Sequence, residues 1–154
     1  MRVVAGRLGG RRLSSPPGRS TDVRPTSDRA RETLFALLGD VSDLLVLDLF
    51  CGTGALAIEA LGIGNRCELV RGDAIRYLER SDEKFGLILC DPPYRLADRL
   101  EPQLAQHLPP RLARFSRLAV ESSARRPLEL ELPKIKLVAE RRVGEALIRI
   151  YVRE

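Results

Sequence analysis

The feature that most constrains this chain is an apolar run ending in a glycine turn, Leu45-Val46-Leu47-Asp48-Leu49-Phe50 followed by Cys51-Gly52-Thr53-Gly54. A run with a single acid and no polar alternation reads as a strand covered on both faces, the pattern of a parallel sheet. Parallel strands need crossover connections, usually helices, so an α/β architecture follows. Residues 85–90 (FGLILC) form a second such run, ending in Asp91-Pro92-Pro93-Tyr94. The stretch 67–71 predicts a short strand ending at Gly72-Asp73, with a helix to about residue 80; residues 97–107 suit a helix and 118–121 a strand. Residues 138–142 and 147–152 predict a closing antiparallel hairpin around Gly144. In its second strand Ile148, Ile150 and Val152 alternate with Arg149, Tyr151 and Arg153, which predicts one buried face.

Upstream, residues 2–5 and 11–13 predict a small β-hairpin, and residues 14–20 (SSPPGRS) read as a linker. Thr26 or Ser27 can cap a helix over 28–38, with Leu34, Leu37 and Leu38 on its buried side and Gly39 ending it. The chain of 154 residues therefore divides into a basic hairpin and linker over 1–20 and an α/β domain over 21–154.

Charge is segregated. The total is +5, but residues 1–31 hold eight arginines (2, 7, 11, 12, 19, 24, 29 and 31) against Asp22 and Asp28, a net of +6. Only Lys84, Lys134 and Lys136 are lysines, and the remaining basic residues are arginine, the better fork for phosphate. A solvated face would explain arginine in general but not its concentration, so a polyanion such as nucleic acid is the expected partner. Arg24, Arg29 and Arg31 surround a helix start, where the macrodipole disfavours cations unless they meet an anion.

Several classes are disfavoured. No apolar run approaches the roughly 20 residues of a membrane span, and the first residues lack a signal-peptide core. Cys51, Cys67 and Cys90 are odd in number and form no C-x-x-C pair, which argues against a disulfide framework or thiolate zinc site and for a reducing cytoplasm. With His107 the lone histidine, no His-based metal site is expected. Aromatic residues are 5% and tryptophan is absent, unlike a base-stacking sheet.

Two sites carry chemistry. The turn Gly52-Thr53-Gly54, with Ala57, satisfies G-x-G-x-x-A, where glycine lets backbone approach a ligand. The preceding Asp48 suits a ligand bearing an ammonium group better than a pyrophosphate, and the absence of G-K-[ST] disfavours a P-loop. In Asp91-Pro92-Pro93-Tyr94, two prolines remove N–H donors and fix φ, leaving carbonyl acceptors beside a carboxylate and an aromatic ring. Asp91 and the Pro92 carbonyl can accept from an exocyclic amino group while Tyr94 stacks on the base. Together the sites suit methyl transfer from S-adenosylmethionine to a base amino group. Asp73 could accept from the adenine amino group and the Ala74 N–H donate to the ring; alternatively, Asp73 is an ordinary helix N-cap.

On these residues the chain resembles the RsmD-type class I methyltransferases, bacterial enzymes that methylate guanine N2 in 16S ribosomal RNA. The resemblance runs through Arg2-Val3-Val4-Ala5-Gly6, Gly10-Arg11-Arg12-Leu13, Arg24-Pro25-Thr26, Asp28-Arg29 and Arg31-Glu32-Thr33-Leu34-Phe35. It continues through Leu47 to Leu56, Ile58-Glu59-Ala60-Leu61, the Asp91–Tyr94 box and Val120-Glu121-Ser122. It implies a Rossmann-like α/β sheet, mostly parallel with an antiparallel C-terminal hairpin, plus the N-terminal β-hairpin. It also implies a cofactor loop at Asp48, Gly52 and Gly54, an adenine contact at Asp73 and Ala74, and target-base contacts at Asp91, Pro92 and Tyr94. Backbone contacts to RNA are expected from Arg2, Arg7, Arg11, Arg12, Arg24, Arg29 and Arg31. The implied partner is 16S ribosomal RNA in an assembling small subunit, with the protein a cytoplasmic monomer away from membranes.

One departure stands out. The family has a second strand, whose acidic end holds the cofactor ribose, and a helix between Leu61 and the strand at Cys67; here only residues 62–66 occupy that space. About 30 residues are absent at usual element lengths, and a segment missing from the sequence is favoured over a true deletion. Rival readings are a DNA amino-methyltransferase, disfavoured by the lack of a target-recognition insertion, and a non-catalytic RNA-binding protein on a decayed scaffold. A nicotinamide-dependent dehydrogenase would leave the Asp-Pro-Pro-Tyr box without a role.

Overall fold

A computed structural model of the chain describes residues 27–52, 54, 56 and 70–154. The expected N-terminal hairpin and linker, the first residues of the strand expected over 67–71, and the Leu61–Gly62 junction lie outside the described residues. Val70 and Arg71, which end that expected strand, belong to no regular element.

Helix α1 (Asp28–Leu38) starts where the Ser27 side chain accepts from the Ala30 N–H, an interaction worth about 1 kcal/mol at a helix start. It ends at Gly39, whose φ of 68° is left-handed. Strand β1 (Val46–Leu49) follows, then the glycine turn, helix α2 (Ala74–Arg80), strand β2 (Phe85–Cys90) and helix α3 (Ala97–His107). Strands β3 (Leu112–Ser123), β4 (Ile135–Val143) and β5 (Ala146–Arg153) complete the chain. The sheet order is β1-β2-β3-β5-β4; β1, β2 and β3 are parallel, and β5 is antiparallel to both β3 and β4.

Two apolar layers sandwich the sheet. On one face Ala30, Leu34 and Leu38 of α1 and Leu56 pack on Leu87, Leu89, Ala119, Ile148 and Ile150. On the other, Ile75 and Leu78 of α2 and Leu104 and Leu108 pack on Leu49, Ile88, Leu118 and Val120. The Arg117 guanidinium donates to the Leu38 carbonyl, closing the last turn of α1 against the sheet. Among the described residues no helix is long and apolar enough to cross a membrane.

Two strands differ from expectation. Strand β3 begins at Leu112 rather than 118 because a bulge interrupts its pairing: Phe85 opposes Leu112, yet Leu87 opposes Arg117. Within that bulge Phe115 is left-handed (φ 59°) and 69% exposed, with the Arg114 guanidinium 4.7 Å over its ring. Strand β5 has both faces covered, so the expectation of an open Arg149–Tyr151–Arg153 face is corrected. Leu128, Leu130 and Leu132 lie in the same apolar layer as Tyr151, and Arg149 is held by Glu129 at 2.9 Å, Glu140 at 2.7 Å and the Leu128 carbonyl at 3.0 Å.

Candidate active site

The parallel register brings both sequence-predicted sites to one edge of the sheet. Leu49 opposes Cys90, so β1 and β2 end level, while Cys90 opposes Val120 of β3, which runs on to Ser123 beside β5. Phe50 and Asp91 are the next residues along, at the carboxyl ends where open α/β sheets hold ligands, and Glu121 of β3 lies at the same level.

After β1 the chain turns sharply. Phe50 (φ 62°), Gly52 (φ 52°) and Gly54 (φ 73°) are left-handed, and the Gly54 N–H donates to the Cys51 carbonyl at 2.7 Å. A Cβ on Gly54 would meet nothing within 4 Å, and one on Gly52 only the Phe50 carbonyl at 3.9 Å. Glycine is thus needed here for handedness, not to avoid a clash, and the space a side chain would take stands open. Asp48 lies half-buried in β1, just before this turn.

After β2 comes the Asp91–Tyr94 segment. Pro92 is buried, Asp91 and Pro93 are half-buried, and Tyr94 is 40% exposed. The Leu96 N–H donates to the Pro93 carbonyl at 2.8 Å and so fixes a 3-10 turn directly before α3. Burial raises the Cys90 thiol well above its ordinary range, and the charges of Asp91 and Asp48 raise it further. One buried thiol therefore feels both carboxylates, an electrostatic sign that the two sites adjoin. Cys51 is raised by burial and by Asp48. Both thiols stay protonated at neutral pH, which suits filler in the sheet and the turn rather than nucleophiles.

Asp73 caps α2, its carboxylate accepting from the Arg76 N–H at 2.9 Å, and Ala74 is the first residue of that helix. Arg29 is exposed on α1, as a phosphate contact requires. Arg31 is a correction: its side chain has no exposed surface and lies 2.5 Å from the Asp28 carboxylate, so it cannot reach RNA as expected. Arg2, Arg7, Arg11, Arg12 and Arg24 lie outside the described residues. Sequence reasoning gave no role to Glu121, which is 8% exposed and accepts from the Tyr94 hydroxyl at 3.3 Å. The only signal was an acid at the end of an apolar strand, as at Asp48.

A parallel sheet with a glycine turn and an Asp-Pro-Pro-Tyr box on adjacent strand ends, closed by an antiparallel hairpin, defines a class I methyltransferase architecture. The family described as "Conserved hypothetical protein 95" matches residues 1–70. Ribosomal RNA small subunit methyltransferase D of Escherichia coli strain K12 is 29% identical over 182 residues, covering all of this chain and 90% of the relative. The chain has 154 residues, so at least 28 of those aligned positions stand opposite no residue here. Bacillus subtilis YlbH, named provisionally as an rRNA methyltransferase, is 32% identical over 126 residues, 62% of this chain and 67% of its own. A solved Escherichia coli structure, named provisionally as methyltransferase yhhF, superposes with a TM-score of 0.76 at 28% identity, covering 100% of this chain and 98% of that one. The chain belongs to the RsmD-type family of class I, S-adenosylmethionine-dependent methyltransferases.

Proposed function

We propose that this protein methylates the exocyclic N2 of a guanine in 16S ribosomal RNA, with S-adenosylmethionine as methyl donor. The observation that carries the reading is the level ending of β1 and β2, which sets the glycine turn beside the Asp91–Tyr94 box. The names of the Escherichia coli and Bacillus subtilis relatives support ribosomal RNA as the substrate class.

The residues present fit the donor. The open space at Gly54 and the left-handed turn suit close backbone approach, and Asp48 can accept from the ligand's ammonium group. Asp73 and Ala74 would meet the adenine, with the cap to Arg76 retained, since a carboxylate can accept more than one hydrogen bond. When bound, the donor supplies an electrophilic methyl group for in-line displacement by the base nitrogen. Asp91 and the Pro92 carbonyl accept from the amino group and orient its lone pair, and Tyr94 stacks on the ring. Asp91 need not be a strong base, because the amino proton becomes acidic as the nitrogen gains positive character. The guanine must leave its stack to enter the site. The basic N-terminal segment and Arg29 would hold the RNA backbone.

We place the deficit relative to the family after Leu61, where it removes the ribose-holding strand and the helix behind it. An intact mass about 3 kDa above that of the 154-residue sequence would show a missing segment. A matching mass would show a real deletion and favour the decayed RNA-binding scaffold. The decisive test of function is mass spectrometry of 16S ribosomal RNA nucleosides from a strain lacking the gene, paired with adenosylhomocysteine titration of the protein. Loss of N2-methylguanosine and a saturable cofactor site are expected; an unchanged nucleoside profile would overturn the assignment.

A further inference from the structure

Among the described residues, Glu121 is the one buried acid beside the ends of β1 and β2 that the proposed chemistry leaves unused. It follows Val120 on β3, opposes Ile148 of β5, and is nine-tenths removed from solvent. A carboxylate placed there gives up hydration and must be compensated by hydrogen bonds. One such bond comes from the candidate site itself: the Tyr94 hydroxyl, 27 residues earlier, donates to Glu121 Oε1 at 3.3 Å.

We propose that Glu121 is a positioning residue that sets the ring of Tyr94 for stacking; the inference rests on the assignment of Tyr94 to the target base. A tyrosine ring is fixed by its Cα and two side-chain torsions. The Cα is held by Pro92 and Pro93 and by the turn in which the Leu96 N–H donates to the Pro93 carbonyl and the Ala97 N–H to the Tyr94 carbonyl. The ring is 40% exposed, and the bond from its hydroxyl to Glu121 gives the torsions a point of attachment. An anchor at the hydroxyl holds the ring by its rim and does not draw on its π-faces. A phenylalanine would keep the stacking surface but lose the attachment, which gives tyrosine a purpose at this position beyond its aromatic ring.

The test compares Glu121→Leu, Glu121→Gln, Tyr94→Phe and the Glu121→Leu/Tyr94→Phe double variant in the full chain. Methyl-transfer kinetics and adenosylhomocysteine affinity are measured on each, together with NMR of ring-13C-tyrosine protein. The chain has three tyrosines, so the Tyr94 ring signal is assigned by its loss in Tyr94→Phe. Glu121→Leu and Tyr94→Phe should each slow transfer by roughly five- to tenfold, the weight of one hydrogen bond. The double variant should lose no more than either single one, and cofactor affinity should stay within about twofold. Glu121→Gln retains an acceptor and should recover most of the rate, while Glu121→Leu should shift the Tyr94 signal. Multiplying losses, an unmoved Tyr94 signal in Glu121→Leu, or equal damage from Gln and Leu would overturn the proposal. Kinetics are read on whichever acceptor the wild type methylates, so failure of the guanine assignment is a separate result.

Discussion

The Arg31 guanidinium, fully withdrawn from solvent, lies 2.5 Å from the Asp28 carboxylate one turn earlier on α1. Its neighbour Arg29 is exposed, so two arginines two residues apart serve different ends. Arg31→Ala should lower stability by about 3 kcal/mol, the usual size for deleting a large buried side chain, without changing the salt dependence of RNA binding. Arg29→Ala should do the reverse, reducing the slope of log K against log salt by about 0.7 with melting unchanged. Thermal melts and salt titrations of both variants check the pair.

The left-handed backbone at Gly52 and Gly54 sets a second expectation. Alanine at either position meets no serious clash, so its penalty is conformational, about 1 kcal/mol. Each substitution should weaken adenosylhomocysteine binding several-fold, measured by calorimetry, with only a small drop in melting temperature. Equal falls in both would make the turn a packing element alone.

At the second site, Asp91→Ala should abolish methyl transfer while cofactor affinity stays within a few-fold. Tyr94→Ala should raise the barrier by about 1–3 kcal/mol through lost stacking. Single-turnover rates and cofactor titrations separate these effects. A parallel loss of cofactor binding in Asp91→Ala would assign that carboxylate to the cofactor.

The thiols predict a pH dependence. Cys90 and Cys51 titrate above the ordinary value of 9.0, so the folded chain keeps protons that the unfolded chain releases. Their contribution to stability is fully present below about pH 9 and declines as pH rises beyond it. Denaturant midpoints from pH 8 to 10.5 should fall, and fall less in Cys90→Ala. Peptide mass spectrometry after alkylation at pH 8 should find Cys90 unmodified in the native protein.

The basic N-terminal segment is tested by truncation. Removing residues 1–13 deletes Arg2, Arg7, Arg11 and Arg12. The salt slope of RNA binding should shrink by about 0.7 for each phosphate that these arginines neutralise, with adenosylhomocysteine affinity nearly unchanged. A lower melting temperature with an unaltered slope would assign the segment to the fold instead.

Legibility in the sequence followed the range of the interactions. Helix α1 was readable because a capping residue at 26 or 27 and Gly39 are local signals, and the structure selects Ser27 as the cap; β2 and α3 were readable from an unbroken apolar run and from helical periodicity. Asp48, the glycine turn and the Asp91–Tyr94 box were readable because each is contiguous. What escaped depends on distant partners. The bulge in β3 exists only in its pairing with β2, and the second covered face of β5 is created by leucines about twenty residues earlier. Glu121 meets Tyr94 only because the register sets Cys90, at the end of β2, opposite Val120 of β3, and the burial of Arg31 is a property of the folded chain that its local sequence does not signal.

Strand β1 runs directly into the glycine turn, so the pairing of Leu49 with Cys90 and the proposed cofactor loop are carried on one short strand. A ligand held at the turn therefore stabilises the sheet as well as the loop. Adenosylhomocysteine should raise the melting temperature progressively with its concentration, since a ligand that binds only the native state depletes the unfolded one.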